Sequence, residues 1–336
     1  MPGLRIVVRT TAPAWLFERT ASFPFSLLPG ETDTGVLQRD SLTLDESGTV
    51  ALARTFYGEF DTRAWAEARL LEHHAADIVI SDAPPLACAA AALCGIPSFV
   101  CANFTWDWIY ADYSAPRELI GPIQQAYSRA TAGWRMPMHG GFETIHPVID
   151  VPFVARHARA DLTRDDVRRV LGLPANRRLA LMSFGGYGLQ GLRLESLDCG
   201  PSWQIVTTGR NIASSDRGDT VIALDESAIY SAGLRYEDLV RAVDVVVTKP
   251  GYGIISDCIA NGTAMLYTSR GRFAEYDVLV SEMPRYLRCR FIEMERLRTG
   301  RWREGLDALM AMAGPPEKAT IDGAATVAGM ICERLG

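Results

Sequence analysis

Lys249-Pro250-Gly251-Tyr252-Gly253 puts a cation and two glycines directly after the apolar run Val245–Val247 and directly before a helical pattern that reaches Asn261. Glycine-flanked backbone N–H groups can approach an anion without a Cβ in the way. A helix start adds partial positive charge and unpaired donors, so the pattern suits a phosphate. Lys249 is placed to support the same anion. The competing reading is a plain strand-to-helix turn with Lys249 in solvent. Ser183-Phe184-Gly185-Gly186-Tyr187-Gly188 repeats the glycine-rich ending after another apolar run, without the spacing of a dinucleotide fingerprint.

Acids and aromatics follow two further apolar runs, in Ser81-Asp82-Ala83-Pro84-Pro85 and Asn103-Phe104-Thr105-Trp106-Asp107-Trp108. A carboxylate at either place, Asp82 or Asp107, has the chemistry of a general base or a sugar-hydroxyl ligand. Asp82 equally suits a turn or a helix cap. Trp106 and Trp108 fit a sugar face or a core. After Ala264–Tyr267 comes the polar loop Ser269–Asp277, in which Arg272, Glu275 and Asp277 fit hydroxyl or phosphate recognition, or simple exposure. His139, His146 and His157 share no metal spacing, so no metal site is expected.

The elements that must carry these residues alternate. Strands are predicted at Leu4–Arg9, Ile78–Ser81, Ser98–Cys101, Leu179–Ser183, Gln204–Thr208, Thr220–Ala223, Val243–Thr248 and Ala264–Tyr267. Helices are predicted at Asp61–His74, Pro85–Leu93, Arg164–Leu171 and Tyr252–Asn261. Consecutive apolar residues such as Val245-Val246-Val247 indicate strands covered on both faces, and the alternation indicates βαβ units with parallel sheets. The stretch from Met136 to Pro152 is rich in turn residues and reads as a linker. The expected organisation is therefore α/β, with two Rossmann-like domains, 1–149 and 150–336, facing across a cleft.

At 336 residues the chain is long enough for two cores. A net charge of −6 argues against nucleic acid as a partner. The basic run between Arg285 and Arg301 reads as a solvated helix face. Seven scattered cysteines fit neither a metal nor a disulfide framework, which points to a reducing compartment. The apolar stretch from Pro84 to Cys101 is broken at Gly95-Ile96-Pro97, so no transmembrane segment is expected. With no leader pattern at Met1, a cytoplasmic location is the default expectation.

Taken together, these stretches resemble the N-terminal glycosyltransferase-like domain of plant L-arabinokinases and its stand-alone bacterial relatives, of the GT-B type. The resemblance rests on residues 77–113, 148–156, 181–188, 249–262 and the region reaching Thr299-Gly300-Arg301-Trp302. The C-terminal half also resembles the nucleotide-sugar domain of the transferase that adds N-acetylglucosamine to the lipid-linked peptidoglycan precursor. The resemblance implies that Gly251, Tyr252 and Gly253 hold a donor diphosphate and that Asp257 binds the ribose. It also implies that the loop of Arg272 and Glu275 contacts the donor sugar and that Gly185 and Gly186 line the cleft.

The sequence departs from that family in two ways. It carries no small-molecule kinase domain, so sugar kinase activity is not implied. It also lacks the opening strand, glycine- and histidine-rich loop and helix expected before Leu4–Arg9, and Met1 is therefore expected to be an internal start. The implied activity is inverting transfer of a hexose-type sugar from a nucleoside diphosphate sugar, as co-substrate and without other cofactor, to an unknown hydroxyl acceptor. A non-catalytic nucleotide-sugar-binding protein and a nucleotide-sugar epimerase are the alternatives.

Overall fold

A computed structural model describes residues 3–40, 42–185, 192, 197–208 and 220–336. The chain divides into two compact units. The first comprises Met1–Leu37, Asp45–Pro152 and Asp322–Gly336, and the second Gln38–Leu44 and Phe153–Ile321. The main crossing falls at Pro152/Phe153. Two segments depart from the expected 1–149 and 150–336: the C-terminal helix belongs with the first unit, and a short piece of the N-terminal half belongs with the second.

In the first unit, β1 (Val7–Thr10), helix α1 (Ala14–Glu18) and β2 (Ser26–Pro29) form a parallel two-stranded sheet of their own. Helices α2 (Glu46–Gly58) and α3 (Phe60–His73) lead to β3 (Val79–Ser81), followed by α4 (Pro85–Cys94), β4 (Ser98–Phe104), α5 (Trp106–Asp112), α6 (Arg117–Tyr127), β5 (Ala132–Gly140) and β6 (Val148–Asp150). The second sheet runs β3-β4-β5-β6, all parallel. Among the described residues β3 pairs on one side only, with β4. The expected linker from Met136 to Pro152 is corrected: its ends are strand, completing β5 and supplying β6. Pro137, Gly133 and Gly140 had disguised β5 as a loop, yet its neighbours on both sides supply the ladder.

The C-terminal helix Gly323–Leu335 lays Val327, Met330 and Ile331 against Phe99, Ala132, Trp134 and Val151. Phe99 and Trp134 stack with centroids 4.4 Å apart at the centre of this cluster. Covering that face removes apolar surface from water at about 25 cal/mol per Å², which is why the helix belongs to this unit.

The second unit contains α7 (Arg164–Val170), β7 (Arg178–Ser183), β8 (Trp203–Thr207), β9 (Val221–Ala223), α8 (Glu226–Ser231), α9 (Tyr236–Ala242) and β10 (Val245–Thr248). It continues with α10 (Tyr252–Asn261), β11 (Ala264–Tyr267), α11 (Tyr276–Tyr286), β12 (Cys289–Phe291), α12 (Met294–Arg298) and α13 (Arg303–Ala311). Its sheet order is β12-β11-β10-β7-β8-β9, every pair parallel. Strands after β7 are added on one side and strands after β10 on the other. The chain therefore reverses direction of growth between β7 and β10, the topological switch point where open α/β sheets bind ligands. Val245, Val246 and Val247 are fully buried, as a doubly covered central strand requires. Trp203, Trp302, Leu306 and Leu309 join β10 and β11 in the core of this unit. No helix among the described residues is long and apolar enough to cross a membrane.

Candidate functional site

The described part of the first glycine-rich ending, residues 183–185, and the whole of the second, residues 249–253, lie at the switch point, after the two adjacent strands β7 and β10. Thr248 at the end of β10 donates its hydroxyl to the carbonyl of Ser183 at the end of β7, and Ser183 Oγ is 2.8 Å from the Tyr236 hydroxyl. Gly185 follows with φ +72, in the left-handed region that favours glycine, and no atom of the described residues would meet a Cβ there within 4 Å. Gly186 lies outside the described residues.

After β10, Gly251 is the N-cap of α10 and has no side-chain cap. Its φ of −168 is extended backbone, and Gly253 is not left-handed either. Neither conformation nor crowding within the protein demands glycine at either place. A Cβ at Gly253 would meet nothing within 4 Å, and one at Gly251 would meet only Arg270 Nη1 at 4.0 Å. The first turn of α10 is therefore open beside its backbone, as a helix start that receives an anion must be.

Cations converge on this turn. Arg270 Nη1 donates to the carbonyl of Pro250 at 3.5 Å and pairs with Glu275 Oε1 at 2.9 Å, both side chains nearly buried. Its guanidinium stacks 3.9 Å over the Phe273 ring, which fixes its plane. Lys249 Nζ lies 3.5 Å from Gln38 Oε1. Burial, and after it the charge of Arg270, lowers the Lys249 ammonium to about 8. Burial likewise raises the Tyr252 hydroxyl at the first helical position.

Lys249, Gly251, Tyr252, Gly253 and Glu275 thus gather with Arg270, which the sequence reading passed over in favour of Arg272, two residues on. The missed signal was its nearness to the end of β11. Arg272 itself is exposed. Glu275 is held by Arg270, so its first role is to orient that cation.

Asp257 requires a correction. Its carboxylate is almost fully buried and accepts from Arg156 through the backbone N–H, Nε and Nη2. Asn261, one turn on, accepts from the N–H of Ala158 and donates to the Arg156 carbonyl. These two side chains of α10 bind the segment leading into the second unit. Asp257 is thus turned inward, toward Arg156.

In the first unit Asp82 sits in a strained turn. Ala83 has φ +73, costly for a residue with a Cβ, and it is buried. The fully buried Tyr127 hydroxyl clamps it by donating to the Ala83 carbonyl at 2.5 Å and accepting the Trp106 N–H at 3.1 Å. That N–H is an orphan donor of α5, so one hydroxyl satisfies a helix start and holds the turn. Asp82 is exposed, and desolvation by the surrounding protein raises its carboxyl. Asp33, which no motif flagged, accepts from Trp106 Nε1 at 3.0 Å. Burial raises Asp33 foremost, with Asp82 adding to the rise.

Asp107 is only 4% exposed, raised chiefly by burial, and held by Gln124 at 3.5 Å. It faces the interior and is withdrawn as a base. Trp106 stacks on Tyr110 at 5.3 Å, and Trp108 covers Gly140, so both tryptophans pack the unit. Tyr127→Phe strands two buried backbone groups at about 1–3 kcal/mol each. The expected loss, read by urea unfolding, is about 2–6 kcal/mol; an unchanged midpoint would show the clamp to be idle.

No protein-family model matches the chain. The L-arabinokinase of Arabidopsis thaliana is 28% identical over 326 residues, covering 92% of this chain and 30% of that protein. The chain thus spans under a third of that relative's length. CalG4, the calicheamicin glycosyltransferase, is similar at a TM-score of 0.65 and 14% identity, over 99% of this chain and 91% of its own. VinC, a glycosyltransferase solved in complex with DTDP, gives 0.53 and 16%, over 92% and 91%. MurG of Acinetobacter baumannii gives 0.55 and 11%, over 98% and 99%. At such identities the likeness is one of fold: the chain has the α/β fold of GT-B glycosyltransferases, with two Rossmann-like units.

Proposed function

We propose that the chain transfers a hexose-type sugar from a nucleoside diphosphate sugar to a hydroxyl acceptor, with inversion at the anomeric carbon. The reading rests on the open start of α10 at the switch point, with Lys249 and Arg270 converging on it. A pyrophosphate needs this combination of free amides, helix field and cations. The acceptor oxygen attacks the anomeric carbon as the bond to the diphosphate oxygen breaks. The acceptor proton passes to Asp82, and the departing diphosphate keeps the bonding electrons. Lys249, Arg270 and the α10 amides take up the charge that grows on the leaving group. Glu275 keeps Arg270 in its plane.

Titration calorimetry with UDP, GDP, dTDP and ADP tests the donor half. Micromolar binding selective for one base is expected, and absence of binding by all four would sink the proposal. For the chemistry, release of diphosphate from the matching nucleotide sugar is followed, with the anomer of the product read by NMR.

The Lys249 ammonium gives a pH signature. In the free protein it loses its proton near pH 8, whereas bound phosphate favours the charged form. Diphosphate affinity should therefore weaken as pH rises through 8, by up to about tenfold per unit. Lys249→Met should bind about tenfold more weakly at pH 7 and lose that dependence. A parallel pH profile in the variant would remove Lys249 from the site.

A further inference from the structure

The segment Gln38–Leu44 comes from the N-terminal half of the sequence but packs as part of the second unit. It is a small hairpin: Gln38 and Leu44 form an antiparallel bridge, and the Arg39 N–H donates to the Thr43 carbonyl at 2.9 Å. Asp40 accepts from the Leu42 N–H at 2.7 Å, and its carboxyl is lowered by that bond first, then by Thr43 and the Arg298 charge. Asp40 therefore shapes the hairpin. Leu42 is buried, and its carbonyl rests on Gly271, where a Cβ would lie 2.6 Å from the carbonyl oxygen. Gly271 belongs to the loop that carries Arg270 and Glu275, so the hairpin is fitted against the cation cluster.

Gln38 then faces Lys249, with Oε1 3.5 Å from Nζ. Its amide N–H groups make no hydrogen bond among the described residues, leaving a neutral donor pair beside the ammonium. Sugar hydroxyls both donate and accept, and a carboxamide matches them in both directions. We infer that Gln38 is a specificity-determining residue that reads hydroxyls of the transferred sugar, next to the diphosphate held by Lys249 and α10. This deepens the donor-site reading above and rests on it.

Calorimetry on the intact chain, with UDP, GDP and dTDP and then with the glucose, galactose and mannose conjugates of whichever binds, separates the two claims. Gln38→Ala should leave diphosphate affinity within about twofold and weaken the preferred nucleotide sugar about tenfold, as loss of one or two neutral hydrogen bonds does. Preference among the conjugates should narrow to the same extent. A melting profile verifies that Gln38→Ala is folded. If the parent binds nucleotide sugar and Gln38→Ala matches it, this inference falls and the donor site stands. Equal loss of diphosphate and nucleotide sugar would also overturn it, since Gln38 would then act only through Lys249. A parent that binds no diphosphate overturns both readings.

Discussion

Asp82→Asn is expected to slow diphosphate release from the nucleotide sugar by about a thousandfold, within the 10²–10⁴ that a positioned base supplies, while diphosphate affinity stays within about twofold. Two features of the turn support so large an effect. Its neighbour Ala83 is held at positive φ by the buried Tyr127 hydroxyl, a strain that persists only if the surroundings impose it. The Asp82 carboxyl is also raised by desolvation, which moves a carboxylate toward the basicity that proton abstraction needs.

The same shift fixes the sign of the stability effect. A raised folded-state value means the fold holds the Asp82 proton more tightly than the unfolded chain does. Its contribution is favourable below the unfolded value and is lost as pH rises through the folded one. At pH 7 the charged side chain is thus a small cost, and Asn relieves it. The variant should melt no lower than the parent while losing its rate. The acid limb of the parent's rate profile should lie above the usual carboxylate range and vanish in Asp82→Asn. A variant with full rate, or one that fails by unfolding, would remove Asp82 from the chemistry.

Periodicity made the central strands and the start of α10 legible. Three consecutive valines in β10 could be satisfied only by burial on both faces, and α10 occupies the residues predicted for it, Tyr252–Asn261. The glycine runs were read as following strand ends, and in the structure they follow β7 and β10. Long-range partners were not legible. Asp257 and Arg156 are 101 positions apart, and nothing at either residue announces the pair that turns the carboxylate inward. The C-terminal helix belongs to the first unit because its apolar face fits Phe99 and Trp134, a match of surfaces with no local signature. Asp33 sits in a loop without motif, and only the Trp106 indole shows that it is held. Position could be read where a residue followed a strand, and not where it depended on what folds against it.

Gly253→Asp should separate stability from binding most sharply. Gly253 is the second residue of α10, exposed, with nothing within 4 Å of a built Cβ, so aspartate fits the unliganded protein without displacing an atom. Replacing glycine with aspartate in a helix gains about 0.3 kcal/mol, and a carboxylate in the first turn gains a further ~0.3–1 kcal/mol from the helix field. The variant should therefore melt about 1–4 °C higher. That field and those amides are what a pyrophosphate would use, and the new carboxylate takes them first. At about 4 Å and an effective dielectric near 20, like charges repel by roughly 4 kcal/mol, so diphosphate affinity should fall at least about a hundredfold. Gly253→Ala shares the helix gain without the charge and should retain most of the affinity, which isolates electrostatics from bulk. Retained binding in the aspartate variant would mean that the diphosphate is held elsewhere.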